Sequence, residues 1–124
     1  MKTISLTDAE WEVMECLWDH APQTGREVVS SMKEKMGWAR TTTLTVLSRL
    51  EGKGAVASDN QGKLKQYKPV ILREEAAAKE TETFLQRVYE GSLGMMVSSL
   101  TKSEKLTQKD VDELYSILKE WEGK

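Results

Sequence analysis

Apolar residues recur every three or four positions in three successive stretches of the first half of the chain, which is the spacing of one helical face. A first helix is predicted to begin after Thr7, whose hydroxyl can cap it while Glu10 reaches back. A second is predicted to begin after Thr24 with Glu27 in the same way, and Gly37 should end it. The apolar faces of these two helices are expected to comprise Trp11, Val13, Met14, Leu17, Trp18, Val28, Val29 and Met32.

The third stretch predicts a helix over about residues 40–52, ended by the glycines of the sequence GKG. Val46, Leu47 and Leu50 should face the core, with Thr43 at the edge of that face. The polar residues left outward are Thr41, Thr42, Thr45, Ser48 and Arg49.

Two short strands, residues 55–58 and 64–69, are predicted next, joined by a turn of sequence DNQG in which Asn and Gly tolerate positive φ. Three short helices followed by a two-stranded ribbon form the layout of a winged helix-turn-helix. The expected fold class is therefore mainly α, or α+β, with a winged helix-turn-helix followed by a C-terminal helical dimerisation region.

From residue 72 the pattern is helical again, with strong apolar faces but too few residues to bury them. A second copy of the chain is the simplest cover. We therefore predict a winged helix-turn-helix DNA-binding domain over residues 1–71 and a helical dimerisation domain over residues 72–124. Met95 and Met96 could instead line a ligand pocket, because methionine adapts to many shapes. The residues expected at the dimer interface are Phe84, Leu85, Val88, Met96, Leu100, Leu114, Leu118 and Trp121.

The charge distribution bears on DNA binding more than the net charge of −2 does. Residues 26–70 carry nine basic and four acidic side chains, a balance of +5, whereas residues 1–25 carry −4 and residues 71–124 carry −3. A basic middle between acidic ends can present a positive face to DNA.

A helix that reads DNA needs short polar side chains at base edges and cations on the flanking phosphates. Three threonines on the outward N-terminal half of the third helix have this character, with an arginine on each side. Two lysines lie at the predicted hairpin tip, where a wing would meet DNA. The alternative for the threonines is that their hydroxyls only face water or bond to helix carbonyls. These candidates are Arg40, Thr41, Thr42, Thr45, Arg49, Lys63 and Lys65.

Catalytic and metal-binding signatures are missing from the sequence. The single histidine, His20, permits neither a histidine pair for zinc nor a Ser-His-Asp triad, so we expect no enzyme, no metal and no cofactor. The single cysteine, Cys16, cannot form an internal disulfide, and no apolar run reaches the roughly 18 residues of a membrane span. We expect a cytoplasmic protein that has no membrane association.

Four segments together resemble the penicillinase-repressor (BlaI/MecI/CopY-like) family of bacterial transcriptional regulators: LTDAEWEVMECLW, TGREVV, WARTTTLTVLSRLEGKG and KLKQYKPV. The resemblance implies a homodimer that represses transcription from an inverted-repeat operator of double-stranded DNA. It also implies a third helix in the major groove, with Thr42, Thr45 and Arg49 on matching positions. Gln66 and Tyr67 match the second strand of the wing, which adds Tyr67 to the candidate DNA contacts.

Three departures from the family concern operator choice and induction. Leu44 stands where the antibiotic-resistance members tend to carry a basic residue. Ser99-Leu100 replaces the Asn-Phe pair cut by the sensor protease, and no cysteine after Cys16 is present for copper sensing. The inducer or protease is therefore unknown. The alternative function is a winged-helix protein-protein interaction module that does not bind DNA.

Overall fold

The computed structural model describes residues 4–60, 62 and 64–123. The chain divides into two units, Met1–Thr81 and Glu82–Lys124. Its helices and strands are α1 (Asp8–Asp19), β1 (Gln23–Thr24), α2 (Gly25–Met36), α3 (Arg40–Lys53), β2 (Val56–Asp59), β3 (Gln66–Pro69), α4 (Arg73–Tyr89), α5 (Leu93–Lys102) and α6 (Gln108–Glu122).

Both predicted capping boxes are confirmed. The Thr7 hydroxyl accepts from the Glu10 N–H at 3.2 Å, and the Glu10 carboxylate accepts from the Thr7 N–H at 2.8 Å. Thr24 and Glu27 repeat this arrangement at the same distances. Each box satisfies two N–H groups that a helix start otherwise leaves unpaired, which fixes where α1 and α2 begin. Gly37 caps the end of α2 with φ 71°, as its position in the sequence predicted.

The core of the first unit lies between α1, α2 and α3, whose apolar faces pack against one another. The predicted core residues of α3, Val46, Leu47 and Leu50, are all buried. Thr43 is fully buried with them rather than at the edge, and its hydroxyl has no hydrogen-bond partner. The largest apolar side chains that are buried almost completely are Val13, Met14, Leu17, Val28, Met32, Leu47 and Leu50.

The wing is a three-stranded antiparallel sheet in the order β1-β3-β2, one strand more than the sequence predicted. Gln23 of β1 lies opposite Tyr67, and Ser58 of β2 lies opposite the other side of Tyr67. Because β1 has only two residues next to a helix cap, no local alternation marks it. The Gln23 side chain is buried and donates to the carbonyls of Cys16 at 3.0 Å and His20 at 2.5 Å, which ties the strand to the end of α1.

The first predicted strand is shifted by one residue, and the second is two residues shorter than expected. Ala55 lies outside β2 because its N–H donates to the Leu50 carbonyl at 3.0 Å and completes the end of α3. Leu64 and Lys65 precede β3, so the connection between the strands is longer than the predicted turn. That turn falls partly on Gln61, which, like Lys63, lies outside the described residues.

The first turns of α4 pack against α1 in the first unit. The Trp18 indole N–H donates to the Ile71 carbonyl at 2.9 Å, and Arg73 forms an ion pair with Glu15 at 2.7 Å. Ala76 of α4 is buried. The predicted helix from residue 72 therefore exists. The proposed domain limit between residues 71 and 72 stays a prediction.

The second unit contains the end of α4 together with α5 and α6, and these last two helices contribute no buried residue. α6 begins at a third capping box, formed by Thr107 and Asp110. Among the residues predicted at the dimer interface, Leu85 and Met96 are half-buried. The others are all exposed: Phe84, Val88, Leu100, Leu114, Leu118 and Trp121.

Over the described part of the chain, no helix is long and apolar enough to cross a membrane.

Candidate DNA-binding surface

The outward face of α3 is polar and open to solvent. Because four residues of α3 point into the core at helical spacing, the residues between them are turned outward. α3 has one acidic residue, Glu51, and its carboxylate is bonded to the wing instead of lying among the threonines. The exposed residues of this face are Thr41, Thr42, Thr45, Ser48 and Arg49.

The N-terminus of α3 adds a second feature suited to a phosphate. Its N-cap is Ala39, which has no side-chain acceptor for the first N–H groups of the helix. The positive end of the helix dipole lies at the same place, and the Arg40 side chain is exposed beside it. Together, a cation and free N–H groups at a helix start favour an oxygen anion such as a DNA phosphate.

A different flank of α3 packs against the wing. Leu44 is half-buried against the core, and Glu51 lies seven residues further along the same flank. A Cβ on Gly25 would lie 3.6 Å from both the Leu44 side chain and the Tyr67 ring, so α2, α3 and β3 meet there. Leu44, the residue that departs from the family pattern, therefore contributes to packing between these elements.

Lys65 and Tyr67 make contacts that the sequence did not predict. Lys65 lies in the connection between the strands, just beyond the last strand pair of Asp59 with Gln66, and its ammonium is 3.3 Å from a Glu51 oxygen. The same ammonium lies 5.3 Å from the centre of the Tyr67 ring. Tyr67 is only 8% exposed and belongs to the core. A DNA contact through either side chain stays a prediction, and Lys63 lies outside the described residues.

Glu51 is the residue of this surface that sequence reasoning missed. Its second oxygen accepts a hydrogen bond from the Ser58 hydroxyl at 2.6 Å. That bond lowers the pKa of Glu51 and, with the bond from Lys65, outweighs the opposing effect of burial, so Glu51 is ionised at neutral pH. The hydrogen bond to Glu51 correspondingly raises the pKa of Lys65. Nothing in the local sequence marks this pairing, because the partners are 7 and 14 residues away.

No group of three or more metal-ligating side chains that could hold an ion occurs among residues 4–60, 62 and 64–123. The surface offers hydrogen-bonding side chains, two arginines and an uncapped helix start. A three-helix core, a sheet-forming wing and a polar outward third helix define the class of winged helix-turn-helix DNA-binding proteins.

Residues 6–120 match the family model described as Penicillinase repressor. The chain belongs to this family, whose members are DNA-binding transcriptional repressors rather than enzymes. The family resemblance inferred from the sequence and the winged helix-turn-helix fold are both confirmed.

Relatives match over nearly the full length of the chain. The penicillinase repressor of Bacillus licheniformis is 34% identical over 121 residues, which cover 97% of this chain and 94% of the relative. The methicillin resistance regulatory protein MecI of Staphylococcus aureus strain N315 is 27% identical over 117 residues, covering 94% and 95% respectively.

Two solved structures match the DNA-binding half. The solution structure of the DNA-binding domain of the repressor BlaI has 34% identity and a TM-score of 0.54, covering 60% of this chain and 93% of that one. Monomeric Bacillus licheniformis BlaI in complex with the blaP half-operator has 33% identity, the same coverage and a TM-score of 0.54.

Proposed function

We propose that this repressor acts as a homodimer on an inverted-repeat operator, with α3 of each subunit in the major groove. The observation that carries the proposal is the outward face of α3, where exposed threonines lie between two arginines and the acidic residue of the helix is turned away. Thr42 and Thr45 are placed to read base edges, because a threonine offers both a hydroxyl and a methyl group. Thr41, nearer the helix start, is assigned to the sugar-phosphate backbone.

The phosphate contacts are assigned to the cations around α3. Arg40 lies at the uncapped start of α3, and Arg49 is exposed two and a half turns further along the helix. Lys63, in the wing connection, is added from its place in the sequence. Phosphate contacts orient the protein on the duplex but do not read its sequence, so these three residues should set affinity rather than specificity.

Dimerisation is assigned to the exposed apolar face of the second unit. Monomeric soluble proteins rarely leave a contiguous apolar surface of this kind in water. Leu114, Leu118 and Trp121 follow helical spacing along α6 and are exposed, which suits pairing with the same face of a second copy. A two-fold dimer would present two copies of α3 to two half-sites related by the same symmetry.

The position of Ser99-Leu100 in the fold bears on whether proteolysis at this pair could release the DNA. This pair lies within α5, where backbone groups are hydrogen-bonded within the helix. Cleavage at this pair would require α5 to unwind first, because an endoprotease binds its substrate in an extended form. Release of DNA by a bound small molecule would not require α5 to unwind.

Selection from a pool of random DNA duplexes, followed by salt titration, tests the proposed function. We expect enrichment of a two-fold-symmetric site with half-sites one or two helical turns apart. Three phosphate contacts per subunit predict a slope of log affinity against log salt of about −5. Equal, weak binding to the selected and scrambled duplexes would favour the protein-binding module instead.

The assigned roles can be separated with two alanine variants. Thr42→Ala should change the preference among operator variants by about 1 kcal/mol, because one base contact is lost. Lys63→Ala should weaken binding to all sequences alike, since a phosphate contact is sequence-independent. Equal losses on operator and random DNA for Thr42→Ala would remove Thr42 from base reading.

A further inference from the structure

One carboxylate of the recognition helix is bonded to both arms of the wing. Glu51, in the last turns of α3, accepts from Ser58 of β2 at 2.6 Å and from Lys65 beside β3 at 3.3 Å. A single side chain therefore joins both arms of the wing to the helix that carries the outward threonines. Because α3 is one rigid element, an attachment at Glu51 also fixes the wing relative to Thr42 and Thr45.

The Lys65 ammonium is held on two sides. Glu51 lies on one side, and the Tyr67 ring, which belongs to the core, lies on the other at 5.3 Å. The raised pKa of Lys65 and the lowered pKa of Glu51 agree with a charged pair at neutral pH. The Lys65 side chain is 43% exposed, so the Glu51 contact rather than burial restrains its ammonium, and moving the ammonium from Glu51 to a phosphate would leave that carboxylate without its cation.

From this geometry we infer that Glu51 is a positioning residue for DNA recognition, which keeps the wing in register with α3 and withholds Lys65 from the phosphates. The inference rests on the proposed function and deepens it. It separates Lys65, as a structural cation, from Lys63, which the proposed function assigns to a phosphate. Restraining a cation in this way limits sequence-independent affinity, and holding the wing in register with α3 favours the operator over other DNA.

Glu51→Gln tests the inference through the salt dependence of binding. The amide keeps an acceptor for Ser58 but removes the charge that holds Lys65. If Lys65 then reaches a phosphate in each subunit, the log-log slope should steepen from about −5 to about −7. Affinity for a scrambled duplex should rise by about tenfold through the new phosphate contact. The gain on the operator should be smaller, because the wing is held less firmly in register with α3, so discrimination falls. Glu34→Gln, an equal charge change at an exposed position of α2, is the matched control.

Lys65→Met completes the test as a double-mutant cycle. In the Glu51→Gln background it should return the slope to about −5. In the otherwise unaltered chain it should lower affinity, because Glu51 is left unpaired near DNA, while shifting the slope by less than about 0.5. Thermal unfolding of each variant checks that the fold is retained.

If the unaltered chain binds its operator as proposed, either of two results would overturn the inference. A slope shallower by about 2 for Lys65→Met alone would mean that Lys65 already binds phosphates. No steepening in Glu51→Gln, with discrimination retained, would mean that Glu51 restrains nothing. Failure of the unaltered chain to prefer any operator is a separate result, because it overturns the proposed function itself and the inference with it.

Discussion

The two units of the chain bury their apolar residues to very different degrees. In the first unit, α1, α2 and α3 close around a core in which Met14, Leu17 and Leu50 are each less than 2% exposed. In the second, no residue of α5 or α6 is fully buried, and Trp121 is 70% exposed. Yet α1 and α6 are both amphipathic and both begin at a capping box. The units differ because the apolar faces of the first unit pack against other parts of the same chain, whereas the apolar faces of α5 and α6 are left largely exposed.

This contrast suggests a division of labour between recognition and assembly. A completed core keeps α3 and the wing at fixed positions, which precise contact with base edges requires. An uncovered apolar surface gives affinity for another surface of the same kind. Two recognition units joined through such a surface gain avidity on a two-fold site without new DNA contacts. Weakening the assembly surface would then release DNA while α3 stays folded.

The largest expected effect is the loss of a core side chain. Leu50→Ala should lower the free energy of unfolding by about 3 kcal/mol, because a fully buried leucine leaves a cavity. The same deletion at Leu93, which is 58% exposed at the start of α5, should cost less than about 1 kcal/mol. Urea denaturation measures both. Equal losses would show that the two units do not differ in burial as described.

The next effect concerns assembly. A double substitution of Leu118 and Trp121 by alanine should convert a dimer to a monomer in sedimentation equilibrium, because the apolar face of α6 is cut back. Operator affinity should fall by about 50-fold, or about 2.3 kcal/mol, as avidity is lost. Lys119→Ala with Glu120→Ala, at polar positions of the same turn, is the control. A double variant that stays dimeric would move the interface elsewhere.

The third effect is a pH dependence of the first unit. Lys53 donates to the buried Glu10 carboxylate at 2.6 Å and to the Ser5 carbonyl at 2.8 Å. Burial alone would raise the pKa of Glu10, but the bonds from Lys53 and Thr7 outweigh it and lower the pKa below its ordinary value of 4.5. A lowered pKa stabilises the fold above pH 4.5, and this contribution is lost as pH falls through the lowered value.

Glu10→Gln should therefore cost about 1.5 kcal/mol at pH 7, by leaving Lys53 without its buried partner. Its stability should also change less than that of the unaltered chain as the pH falls below 4.5. Urea midpoints from pH 7 to pH 3 measure this. Glu27→Gln, in a capping box exposed to water, is the control and should have a smaller effect. Parallel pH profiles for Glu10→Gln and the unaltered chain would contradict the assignment.

The smallest effect is a gain in stability within α3. Thr43→Val removes a fully buried hydroxyl that has no partner and keeps a branched side chain of similar shape. The free energy of unfolding should rise by about 1 kcal/mol. The same substitution at the exposed Thr45 should change stability by less than about 0.5 kcal/mol and weaken operator binding instead. A loss of stability in Thr43→Val would mean that its hydroxyl is satisfied in solution.

Local patterns predicted most of the helices of this fold. Capping boxes involve residues three apart, and apolar faces repeat within one helix, so Thr7 and Thr24 could be identified from the sequence as helix starts. β1 could not be predicted in this way, since it exists only through pairing with Tyr67 some 40 positions later.

Helix periodicity predicted the exposure of the candidate residues on α3, whereas the contacts of the candidate residues in the wing were not predicted. The five candidates on α3 are exposed, as their spacing indicated. Lys65 looked like a free cation because its partner lies 14 residues away, and the burial of Tyr67 follows from its central place in the sheet. The ladder of hydrogen bonds between strands, rather than any residue preference, sets these positions.

The sequence by itself therefore determined where most helices begin, which face of each is apolar and which polar residues of α3 point outward, because these properties depend on residues within one or two turns. Only the tertiary structure decided that Thr43 is buried, that Gln23 joins a sheet and that Glu51 holds Lys65. The physical reason is that burial and pairing depend on which distant segments the folded chain brings together.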